Sequence, residues 1–419
     1  MDKLIVKGGK PLRGKIAISG SKNSALPILA ATLLTPEPCV LHRVPDLSDV
    51  RYMLEILEHL GAEVSFKDGT VRVCAAKIHS EAPYELVRKM RASICVLGPL
   101  LARCGRATVS LPGGCVIGDR PIDIHLRGLE ALGAHVESED GNIVVTSGAG
   151  LKGAEIPLGG KFGSTVLGTD NVMMAATAAS GTTRIENAAA EPEVQDLANF
   201  LAKMGAKIRG QGTKHIEIDG GTPLHGAEHT VIPDRIEAGT FVIAGLITNG
   251  DLTLEGVDCS HMENILEPLR KSGALLEPAG DSLRVRVGTP LKPLDLVTEV
   301  YPGFPTDMQA QFCALLAMTP GISAVTEKIF PNRYMHLSEL KRMGANIDLE
   351  GSTAILRGVA ELDGAPVMAS DLRASAALVL AGLAAQGTTE VNRVYHIDRG
   401  YERIDEKLRQ VGADIERQA

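Results

Sequence analysis

The sequence has no tryptophan, and aromatic residues make up only 3% of its 419 residues. This scarcity argues against a stacking platform for single-stranded nucleic acid and against an apolar pocket for drug-like molecules. Positive charge is not in excess either, because 43 lysines and arginines face 51 aspartates and glutamates and leave a net charge of −8. No general attraction to nucleic acid or to an anionic membrane follows. Any anionic ligand must be held by local lysines and arginines.

Cysteine pairs with the spacing of a zinc site are also missing. The seven cysteines are scattered and odd in number, which is typical of a reduced, cytosolic protein: Cys39, Cys74, Cys95, Cys104, Cys115, Cys259 and Cys313. The N-terminal stretch MDKLIVKGGKPLRG lacks the apolar core of a signal peptide. The longest apolar-rich run, Ala374–Ala385, is too short to span a bilayer. The sequence therefore predicts a cytoplasmic protein without membrane insertion.

One phrase recurs six times: a helix-period segment that ends in Gly-Ala, followed by a β-like stretch. The copies of this Gly-Ala phrase are LEHLGAEV, LEALGAHV, LAKMGAKI, LRKSGALL, LKRMGANI and LRQVGADI. Their glycines are Gly61, Gly133, Gly205, Gly273, Gly344 and Gly412, at intervals of 72, 72, 68, 71 and 68 residues. Such regularity indicates internal repeats. Each glycine falls where a helix needs a left-handed C-terminal cap before the chain turns into a strand.

A second apolar, helix-like segment precedes each Gly-Ala phrase, so that a repeat is predicted to run helix, strand, loop, helix, strand, strand. Repeats of this size favour six small α/β units over a stacked solenoid. Three units per domain give two similar domains, residues 22–229 and residues 1–21 with 230–419. The opening stretch from Leu4 to Ile18 is predicted to be one strand that completes the last repeat. Both chain ends would then belong to the second domain.

The segment Ser110–Ile124, SLPGGCVIGDRPIDI, contains a cysteine in a context typical of a reactive thiol. Cys115 follows two glycines that leave the thiol uncovered, and Arg120 stands five residues later, where its charge favours the thiolate. Most cysteines of intracellular proteins are inert core residues, and this interpretation is kept for the other six. The polar Gly-Asp-Arg-Pro exit indicates a surface loop and predicts a reactive thiol at Cys115.

Charged and polar side chains also occur together at the start of the apolar helix of a repeat. In GSKNSALPILA, Ser21 or Ser24 can cap the helix, Pro27 is tolerated in a first turn, and Lys22 and Asn23 lie at the N-terminal end. The positive charge of a lysine is unfavourable at this end of the helix dipole, unless an anion binds there to the free backbone N–H groups. The alternative interpretation of Lys22 is a solvated surface lysine.

The fifth repeat carries Asp307 at the same position, in PGFPTDMQAQF. Thr306 and Gln309 are predicted to form a capping box, and on that interpretation Asp307 only complements the helix dipole. Pro302 and Pro305, however, restrict the backbone of the segment before the helix. This favours a carboxylate held in a fixed position at the helix N-terminus. Other repeats carry further charges at this position: Arg91, Asp371 and Arg373.

Arginines occupy matching points in the loops before the Gly-Ala phrases. Arg120 and Arg399 each lie 13 residues ahead of the glycine of their phrase, and Arg333 lies 11 residues ahead of its own. Arginines at matching points of pseudo-symmetric domains would face each other across a cleft. Two guanidinium groups there would bind a small dianion such as a carboxylate-phosphate. The sequence thus predicts an active site in the cleft between the two domains.

Taken together, these residues resemble the enolpyruvyl transferase family, over essentially the whole chain. The resemblance rests on GSKNSALPILAATLL, LPGGCVIGDRPIDIHLRGLEALGA, GTTRIENAAAEPEVQDLANFL, GFPTDMQAQF, FPNRYMHLSELKRMGA, SDLRASAALVLAGL and HIDRGYERIDEKLRQVGA. The cysteine loop is similar to that of the branch that acts on a UDP-sugar and sets it apart from the branch that acts on shikimate 3-phosphate. The resemblance implies a two-domain inside-out α/β barrel with three βαβαββ units per domain.

The resemblance also implies a reaction, in which the enolpyruvyl group of phosphoenolpyruvate is transferred to the 3-hydroxyl of UDP-N-acetylglucosamine and phosphate is released. This is the first committed step of peptidoglycan precursor synthesis. Lys22, Arg120 and Arg399 would bind the phosphate and carboxylate of phosphoenolpyruvate, and Asn23 would lie where the two substrates meet. Cys115 would protonate the methylene carbon, can form a covalent adduct, and would be the target of fosfomycin.

Further roles follow from the same resemblance. Asp307 would take the proton from the sugar hydroxyl. The UDP-sugar would be contacted by Arg91, Arg120, Pro121, Ile122, Asp123, Ile124 and Ile329, with Arg333, Asp371 and Arg373 as supporting charges. No metal and no cofactor are implied, and the expected partners are the two small-molecule substrates, bound with the sugar nucleotide first. A monomer is expected, although the sequence leaves the assembly state open.

One region departs from the family pattern. In Lys161–Asn171, KFGSTVLGTDN, Leu167 stands in the middle of a core that is commonly Val-Gly-Ala-Thr or Val-Thr-Gly-Thr. The family's loop at this point contacts the diphosphate. Ser164, Thr165 and Val166 stay candidates, because contacts made by the backbone survive a change of side chain.

Two other functions stay open. The shikimate-pathway transferase shares the fold and the chemistry but has no use for the cysteine loop. A non-catalytic repeat scaffold would make the Gly-Ala phrases purely architectural and Cys115 incidental. That scaffold leaves the matched arginines unexplained.

Overall fold

The computed structural model describes residues 2–110, 122–161 and 163–418. The strands in these ranges, in chain order, are β1 (Lys3–Lys7), β2 (Arg13–Ala17), β3 (Cys39–His42), β4 (Glu63–Lys67), β5 (Thr70–Cys74), β6 (Glu81–Ala82), β7 (Arg106–Ser110), β8 (His135–Glu139), β9 (Asn142–Thr146), β10 (Glu155–Pro157), β11 (Thr182–Glu186), β12 (Lys207–Arg209), β13 (His215–Asp219), β14 (Glu228–Thr230), β15 (Asp251–Glu255), β16 (Ala274–Ala279), β17 (Ser282–Val287), β18 (Asp295–Val297), β19 (Ile322–Thr326), β20 (Asn346–Glu350), β21 (Thr353–Arg357), β22 (Pro366–Met368), β23 (Thr388–Asn392) and β24 (Asp414–Gln418).

Helices connect these strands. The α-helices are α1 (Lys22–Ala31), α2 (Ser48–His59), α3 (Tyr84–Val87), α4 (Leu97–Cys104), α5 (Asp123–Ala131), α6 (Val166–Ala176), α7 (Pro192–Lys203), α8 (Arg235–Ile247), α9 (Glu263–Ser272), α10 (Gln309–Leu316), α11 (Met335–Arg342), α12 (Leu372–Ala384) and α13 (Ile404–Gln410). Short 3₁₀ helices run over Thr32–Leu34, Arg91–Val96, Cys259–His261, Thr306–Met308 and Val394–Arg399. Among the described residues, none of the helices has the length and apolar character needed to cross a bilayer.

The strands pair into sheets that all repeat one pattern. Each sheet has four strands, of which the first two are parallel and the other pairs antiparallel. Their orders are β14-β3-β5-β4, β6-β7-β9-β8, β10-β11-β13-β12, β2-β15-β17-β16, β18-β19-β21-β20 and β22-β23-β1-β24. Within the described residues none of these sheets closes into a barrel. The repetition confirms the predicted α/β fold built from six similar units.

The described residues divide into two units, each with its own apolar core. The first unit comprises residues 20–110 and 122–232, and the second unit comprises residues 2–19 and 233–418. Each unit contains three of the four-stranded sheets. Both ends of the described chain therefore belong to the second unit.

Buried helices fill the middle of each unit. In the second unit, α8, α10 and α12 pack against one another, and each also packs against a sheet. All residues of α10 are buried, while α8 and α12 are buried except at their ends. The sequence explains this position, because segments such as FVIAGLI are apolar on every side and have no polar face for water. In the first unit, α6 packs against both α1 and α4, and α4 and α6 also pack against strands.

The glycines of the six Gly-Ala phrases end the outer helices in the predicted way. Their φ angles all lie between +90° and +112°, a backbone conformation that a residue with a Cβ rarely adopts. After Gly61, the N–H of Ala62 donates to the carbonyl of Leu57 at 3.0 Å, as in a Schellman motif. The alanines after four of the other glycines make the same bond, at 3.0 to 3.1 Å. The prediction of left-handed caps is confirmed.

The opening of the chain forms two strands in two different sheets. β1 lies between β23 and β24, whereas β2 pairs in parallel with β15. The predicted single strand from Leu4 to Ile18 was therefore wrong, although β1 does complete the last repeat. Gly8 and Gly9 separate the two strands. Gly9 has a φ of +82°, and a Cβ on Gly8 would lie 2.2 Å from the carbonyl oxygen of Ala385.

Candidate active site

The predicted site residues are distributed over both units. Cys115, Arg120 and Pro121 lie outside the described residues. The first unit contains Lys22, Asn23, Arg91, Ile122, Asp123, Ile124, Ser164, Thr165 and Val166. The second unit contains Asp307, Ile329, Arg333, Asp371, Arg373 and Arg399.

Lys22 and Asn23 are the first two residues of α1. The Nζ atom of Lys22 forms a salt bridge with Oδ2 of Asp49 at 3.0 Å, and the two side chains are only 12% and 2% exposed. Asp49 lies in the first turn of α2, which packs against α1. Lys22 is therefore not a solvated surface lysine. Its direction is set by a buried carboxylate on the neighbouring helix.

The predicted capping of α1 differs from the observed one. Ser21 occupies the N-cap position, but its side chain makes no capping hydrogen bond within the described part of the chain. Pro27 is the sixth residue of the helix and not part of its first turn. Because proline has no N–H, the carbonyl of Asn23 lacks the donor that an α-helix normally supplies four residues on.

A buried polar network holds the start of α1 in place. Ser24 donates a hydrogen bond to Oδ2 of Asp196, which also accepts the N–H of Ile232 at 3.2 Å. The other carboxylate oxygen of Asp196 is 2.8 Å from Nε2 of His229. Ser24, Asp196 and His229 are all at most 5% exposed. The network ties the third residue of α1 to α7 and to the segment that follows β14.

Arg91 lies near the start of α5. Arg91 begins a 3₁₀ helix, and Asp123 begins α5 directly after the buried Ile122. Both charges act on His125: burial and then Arg91 lower the pKa of His125, Asp123 opposes the shift, and the resulting pKa is about 4. The neutral ring accepts a hydrogen bond at Nδ1 from the amide of Asn171 at 3.0 Å. Arg91 and Asp123 thus both lie near His125.

The loop predicted to contact a diphosphate leads into the N-terminus of α6. Gly160 and Gly163 exchange two backbone hydrogen bonds of 2.8 and 3.1 Å, and Thr165 accepts the N–H of Gly168 at 3.3 Å. A Cβ on Gly160 would lie 2.6 Å from Cδ1 of Ile124 in α5, so a larger residue at this position would displace the end of that side chain. The first N–H groups of a helix have no partner within the helix and can bind an anion. The residues at this helix start are Ser164, Thr165 and Val166.

Asp307 lies between two arginine side chains. Its Oδ1 accepts from Nη1 of Arg333 at 2.8 Å, and its Oδ2 accepts from Nη2 of Arg373 at 3.0 Å. The arginine side chains are 7% and 4% exposed, whereas 29% of the Asp307 side chain stays accessible. Burial alone would raise the pKa of Asp307, but Arg373 and Arg333 outweigh it and hold the pKa well below its usual range. Asp307 is therefore an ionised carboxylate with one side open.

The predicted capping box of Thr306 and Gln309 was wrong. The hydroxyl of Thr306 donates to Oε2 of Glu327 at 2.8 Å and accepts from Nη1 of Arg333 at 3.2 Å. Gln309 is the first residue of α10, after the 3₁₀ turn that contains Thr306 and Asp307. The start of α10 is thus held by a glutamate and an arginine from elements further along the chain. The sequence around Thr306 does not reveal these partners.

Glu327 is a residue that the sequence analysis missed. It is fully buried, and its carboxylate accepts the hydroxyls of Thr306 and Thr298 at 2.8 and 2.6 Å. It also accepts the N–H groups of Ile329 and Phe330 at 2.8 and 3.0 Å. Glu327 thus joins the loop that carries Ile329 to the turn that carries Asp307. The only signal in the sequence was a glutamate directly after a strand in which apolar and polar residues alternate. This pattern is too common to mark Glu327 as a site residue.

The remaining candidates lie at the start of α12 and in the 3₁₀ helix Val394–Arg399. Asp371 caps α12 by accepting the N–H of Arg373 at 2.9 Å. Asp371 and Arg399 share a neighbour in His396, because burial and then Arg399 lower the pKa of that ring while Asp371 opposes them. The second unit therefore brings Asp307, Arg333 and Arg373 into direct contact and brings Asp371 and Arg399 near each other.

Residues 6–408, nearly the whole chain, match the family model described as EPSP synthase (3-phosphoshikimate 1-carboxyvinyltransferase). The chain belongs to the EPSP synthase family. Within this family it is similar to proteins named UDP-N-acetylglucosamine 1-carboxyvinyltransferase. The protein of that name from Methylacidiphilum infernorum is 64% identical over 417 residues, and that from Akkermansia muciniphila is 59% identical over 419 residues. Each match covers 100% of this chain and 99% of the relative.

Two solved structures share the fold. The enolpyruvyl transferase NikO from Streptomyces tendae has a TM-score of 0.90 at 25% identity, covering 100% of this chain and 99% of that one. An EPSP synthase from Acinetobacter baumannii has a TM-score of 0.76 at 19% identity, covering 100% of both chains. The second likeness supports the fold alone. The resemblance to enolpyruvyl transferases that the sequence motifs indicated is confirmed.

Proposed function

We propose that this protein transfers the enolpyruvyl group of phosphoenolpyruvate to the 3-hydroxyl of UDP-N-acetylglucosamine and releases phosphate. The observation that carries the proposal is the identity of 64% and 59%, over the full length, with relatives named UDP-N-acetylglucosamine 1-carboxyvinyltransferase. The EPSP synthase compared above is only 19% identical, so a shikimate acceptor is less well supported. The proposal extends to a cytoplasmic role in peptidoglycan precursor synthesis, and so in cell-wall growth and division, and to inhibition by fosfomycin at Cys115.

The proposed reaction is an addition followed by an elimination. In the addition, the sugar oxygen loses its proton and bonds to C2 of phosphoenolpyruvate, while another proton is delivered to C3, which becomes a methyl group. In the elimination, the bond from C2 to the phosphate oxygen breaks and C3 loses a proton, which leaves an enol ether and inorganic phosphate. The chemistry needs an acid near C3, a base near the sugar hydroxyl and cations around the anionic groups.

Asp307 is assigned the role of the base. In the described arrangement both of its oxygens accept hydrogen bonds from arginine, and a carboxylate with so low a pKa is a weak base. An anionic substrate competes for the same guanidinium groups. If it draws Arg333 away while Arg373 stays in place, the pKa of Asp307 rises toward its usual range. On this proposal, substrate binding prepares the base.

Cations from both units are assigned to phosphoenolpyruvate. Lys22, Arg120 and Arg399 would bind its phosphate and carboxylate, and Asn23 would lie beside Lys22 where the substrates meet. The salt bridge to Asp49 supports this role for Lys22, because it holds the ammonium group with little freedom before an anion arrives. Arg333, Asp371 and Arg373 are supporting charges. The general acid is Cys115, which the sequence places five residues before Arg120.

The sugar nucleotide is assigned mainly to the first unit. Its contacts would be made by Arg91, Arg120, Pro121, Ile122, Asp123, Ile124 and, from the second unit, Ile329. The diphosphate would lie at the N-terminus of α6, near Ser164, Thr165 and Val166, because the N-terminus of a helix favours an anion. Leu167, the residue that departs from the family pattern, is the second residue of α6 and packs against the apolar core. A side chain in that position is compatible with backbone contacts to a ligand.

A comparison of acceptors tests the proposed function. Phosphate release from phosphoenolpyruvate is measured with UDP-N-acetylglucosamine, with shikimate 3-phosphate and without an acceptor. Release with the sugar nucleotide alone is expected. Release with shikimate 3-phosphate alone would instead establish the shikimate-pathway activity, and release with neither acceptor would favour a non-catalytic scaffold.

A further inference from the structure

Tyr401 is a buried tyrosine whose hydroxyl lies behind the Asp307 site. It is 1% exposed. Its hydroxyl oxygen is 3.2 Å from Nη1 of Arg373, 3.2 Å from Nε2 of Gln311 and 2.9 Å from Oγ1 of Thr240. Arg373 in turn uses Nη2 to bind Asp307 at 3.0 Å. A single guanidinium group thus joins Tyr401 to the carboxylate that is proposed to act as the base.

The chemistry of the donors and acceptors sets the direction of the hydrogen bonds that Tyr401 makes with Arg373 and Thr240. The arginine can only donate, so Tyr401 accepts from Arg373. The amide nitrogen of Gln311 also only donates, and its two hydrogens are shared among the hydroxyl of Tyr401, the hydroxyl of Thr240 at 3.1 Å and the backbone carbonyl of Asp307. Thr240 donates its own proton to the carbonyl of Ile236 at 2.8 Å. Tyr401 must therefore donate to Thr240. Burial raises the pKa of Tyr401 although Arg373 opposes the shift, so the phenol keeps the proton that this arrangement requires.

Gln311 holds the backbone of Asp307. Its amide nitrogen also lies 3.0 Å from the backbone carbonyl of Asp307, one turn earlier in the chain. Gln311 is fully buried, as is the contact between its amide and Tyr401. The cluster therefore holds Asp307 twice, through its side chain by way of Arg373 and through its backbone by way of Gln311. The amide nitrogen of Gln311 and the guanidinium of Arg373 both bind Tyr401.

We propose that Tyr401 is a positioning residue for enolpyruvyl transfer, whose hydroxyl orients Arg373 and Gln311 so that Asp307 is held where it accepts the proton of the sugar hydroxyl. This inference rests on the proposed function. Tyr401 acts through Arg373 and Gln311 and need not touch either substrate. Removing its hydroxyl leaves the guanidinium free to turn away from Asp307, and it is therefore expected to slow the chemical step while substrate binding persists.

The test is a comparison of Tyr401→Phe with Tyr334→Phe in the full-length protein. Tyr334 is the matched control, because it is also buried in the second unit, but its hydroxyl donates to the backbone carbonyls of Val325 and Ser352 at 2.6 and 2.9 Å. Tyr401→Phe is expected to lower kcat about tenfold, the effect of losing one hydrogen bond to a charged group. The KM values for both substrates are expected to stay within about twofold.

The outcomes separate the two proposals. If the wild-type protein does not transfer the enolpyruvyl group, the proposed function fails. If the wild type is active and Tyr401→Phe keeps its kcat, or if Tyr334→Phe loses as much, then Tyr401 has no positioning role. Should Tyr401→Phe not fold, Thr240→Val replaces it, since it removes the acceptor that orients the Tyr401 hydroxyl. A drop in kcat with unchanged KM is then expected, and an unchanged kcat would overturn the proposal.

Discussion

Replacing Asp307 with asparagine is expected to lower kcat for enolpyruvyl transfer by about a thousandfold, which is within the range of a lost general base. The amide cannot accept the sugar proton. It also leaves Arg333 and Arg373, both nearly buried, without the negative charge that they now share. Steady-state kinetics measure the loss of activity, and thermal unfolding measures the loss of stability that comes from two unpaired buried cations.

Asp251→Asn is a suitable control for this variant. Asp251 also binds an arginine with both oxygens, at 2.9 and 2.7 Å from Arg284, but this pair lies on the surface of the second unit. An exposed salt bridge contributes about 1 kcal/mol or less to stability, so the control should fold and react like the wild type. An Asp307→Asn protein that keeps more than a tenth of the wild-type kcat would remove Asp307 from the role of the base.

Replacing Cys115 with alanine is the second change with a large expected effect. If the thiol delivers the proton to C3, its loss should reduce kcat by about a hundredfold or more with UDP-N-acetylglucosamine as acceptor. The expectation rests on the sequence, in which Cys115 follows two glycines and precedes Arg120 by five residues. Phosphate release from phosphoenolpyruvate measures the effect.

Cys104→Ala is the matched control, because Cys104 is an exposed thiol at the end of α4 and not the core residue that the sequence analysis expected. Burial, opposed by Arg103, raises the pKa of Cys104, so it is not an activated thiol. This control should retain full activity and should still be alkylated by fosfomycin at Cys115. Full activity of Cys115→Ala would contradict the assignment of the general acid. A change of acceptor selectivity without loss of rate would favour the shikimate-pathway alternative.

The repeat architecture was predictable because each repeat ends its outer helix in the same physical way. A helix end with a φ angle between +90° and +112° favours glycine, so Gly61 and its five equivalents mark the repeats in the sequence itself. The buried helices were predictable from their apolar character, as α8 and α12 show. These signals are local, and local signals are what a single sequence displays.

The details that failed depend on contacts between distant residues. The opening stretch was expected to be one strand, but β1 and β2 join sheets whose other strands lie more than 200 residues away. Thr306 and Gln309 have the right spacing for a capping box, yet Glu327 from the end of β19 takes the Thr306 hydroxyl. A motif of four residues cannot anticipate a competitor from another element.

In the candidate site, too, residues with a local sequence signal were predicted, whereas residues that act through distant contacts were not. Lys22, Asp307 and Arg373 were recognised because each stands at the start of a helix in a comparable repeat position. Their partners were not recognised, because Asp49, Glu327 and Tyr401 have no distinctive spacing in the sequence. Only the folded chain brings Asp49 to Lys22 and Tyr401 to Arg373. The charged groups that would touch substrate were therefore easier to predict than the groups that position them.

The most direct test of the proposed chemistry is transfer in heavy water, followed by mass spectrometry of the sugar nucleotide. Addition and elimination make C3 of phosphoenolpyruvate a methyl group that has gained a deuteron from an exchangeable acid, and a hydrogen is then lost from it. The account predicts an enolpyruvyl ether of UDP-N-acetylglucosamine with deuterium in its vinyl group. Absence of this product, or a product whose vinyl group contains no deuterium, would contradict the account.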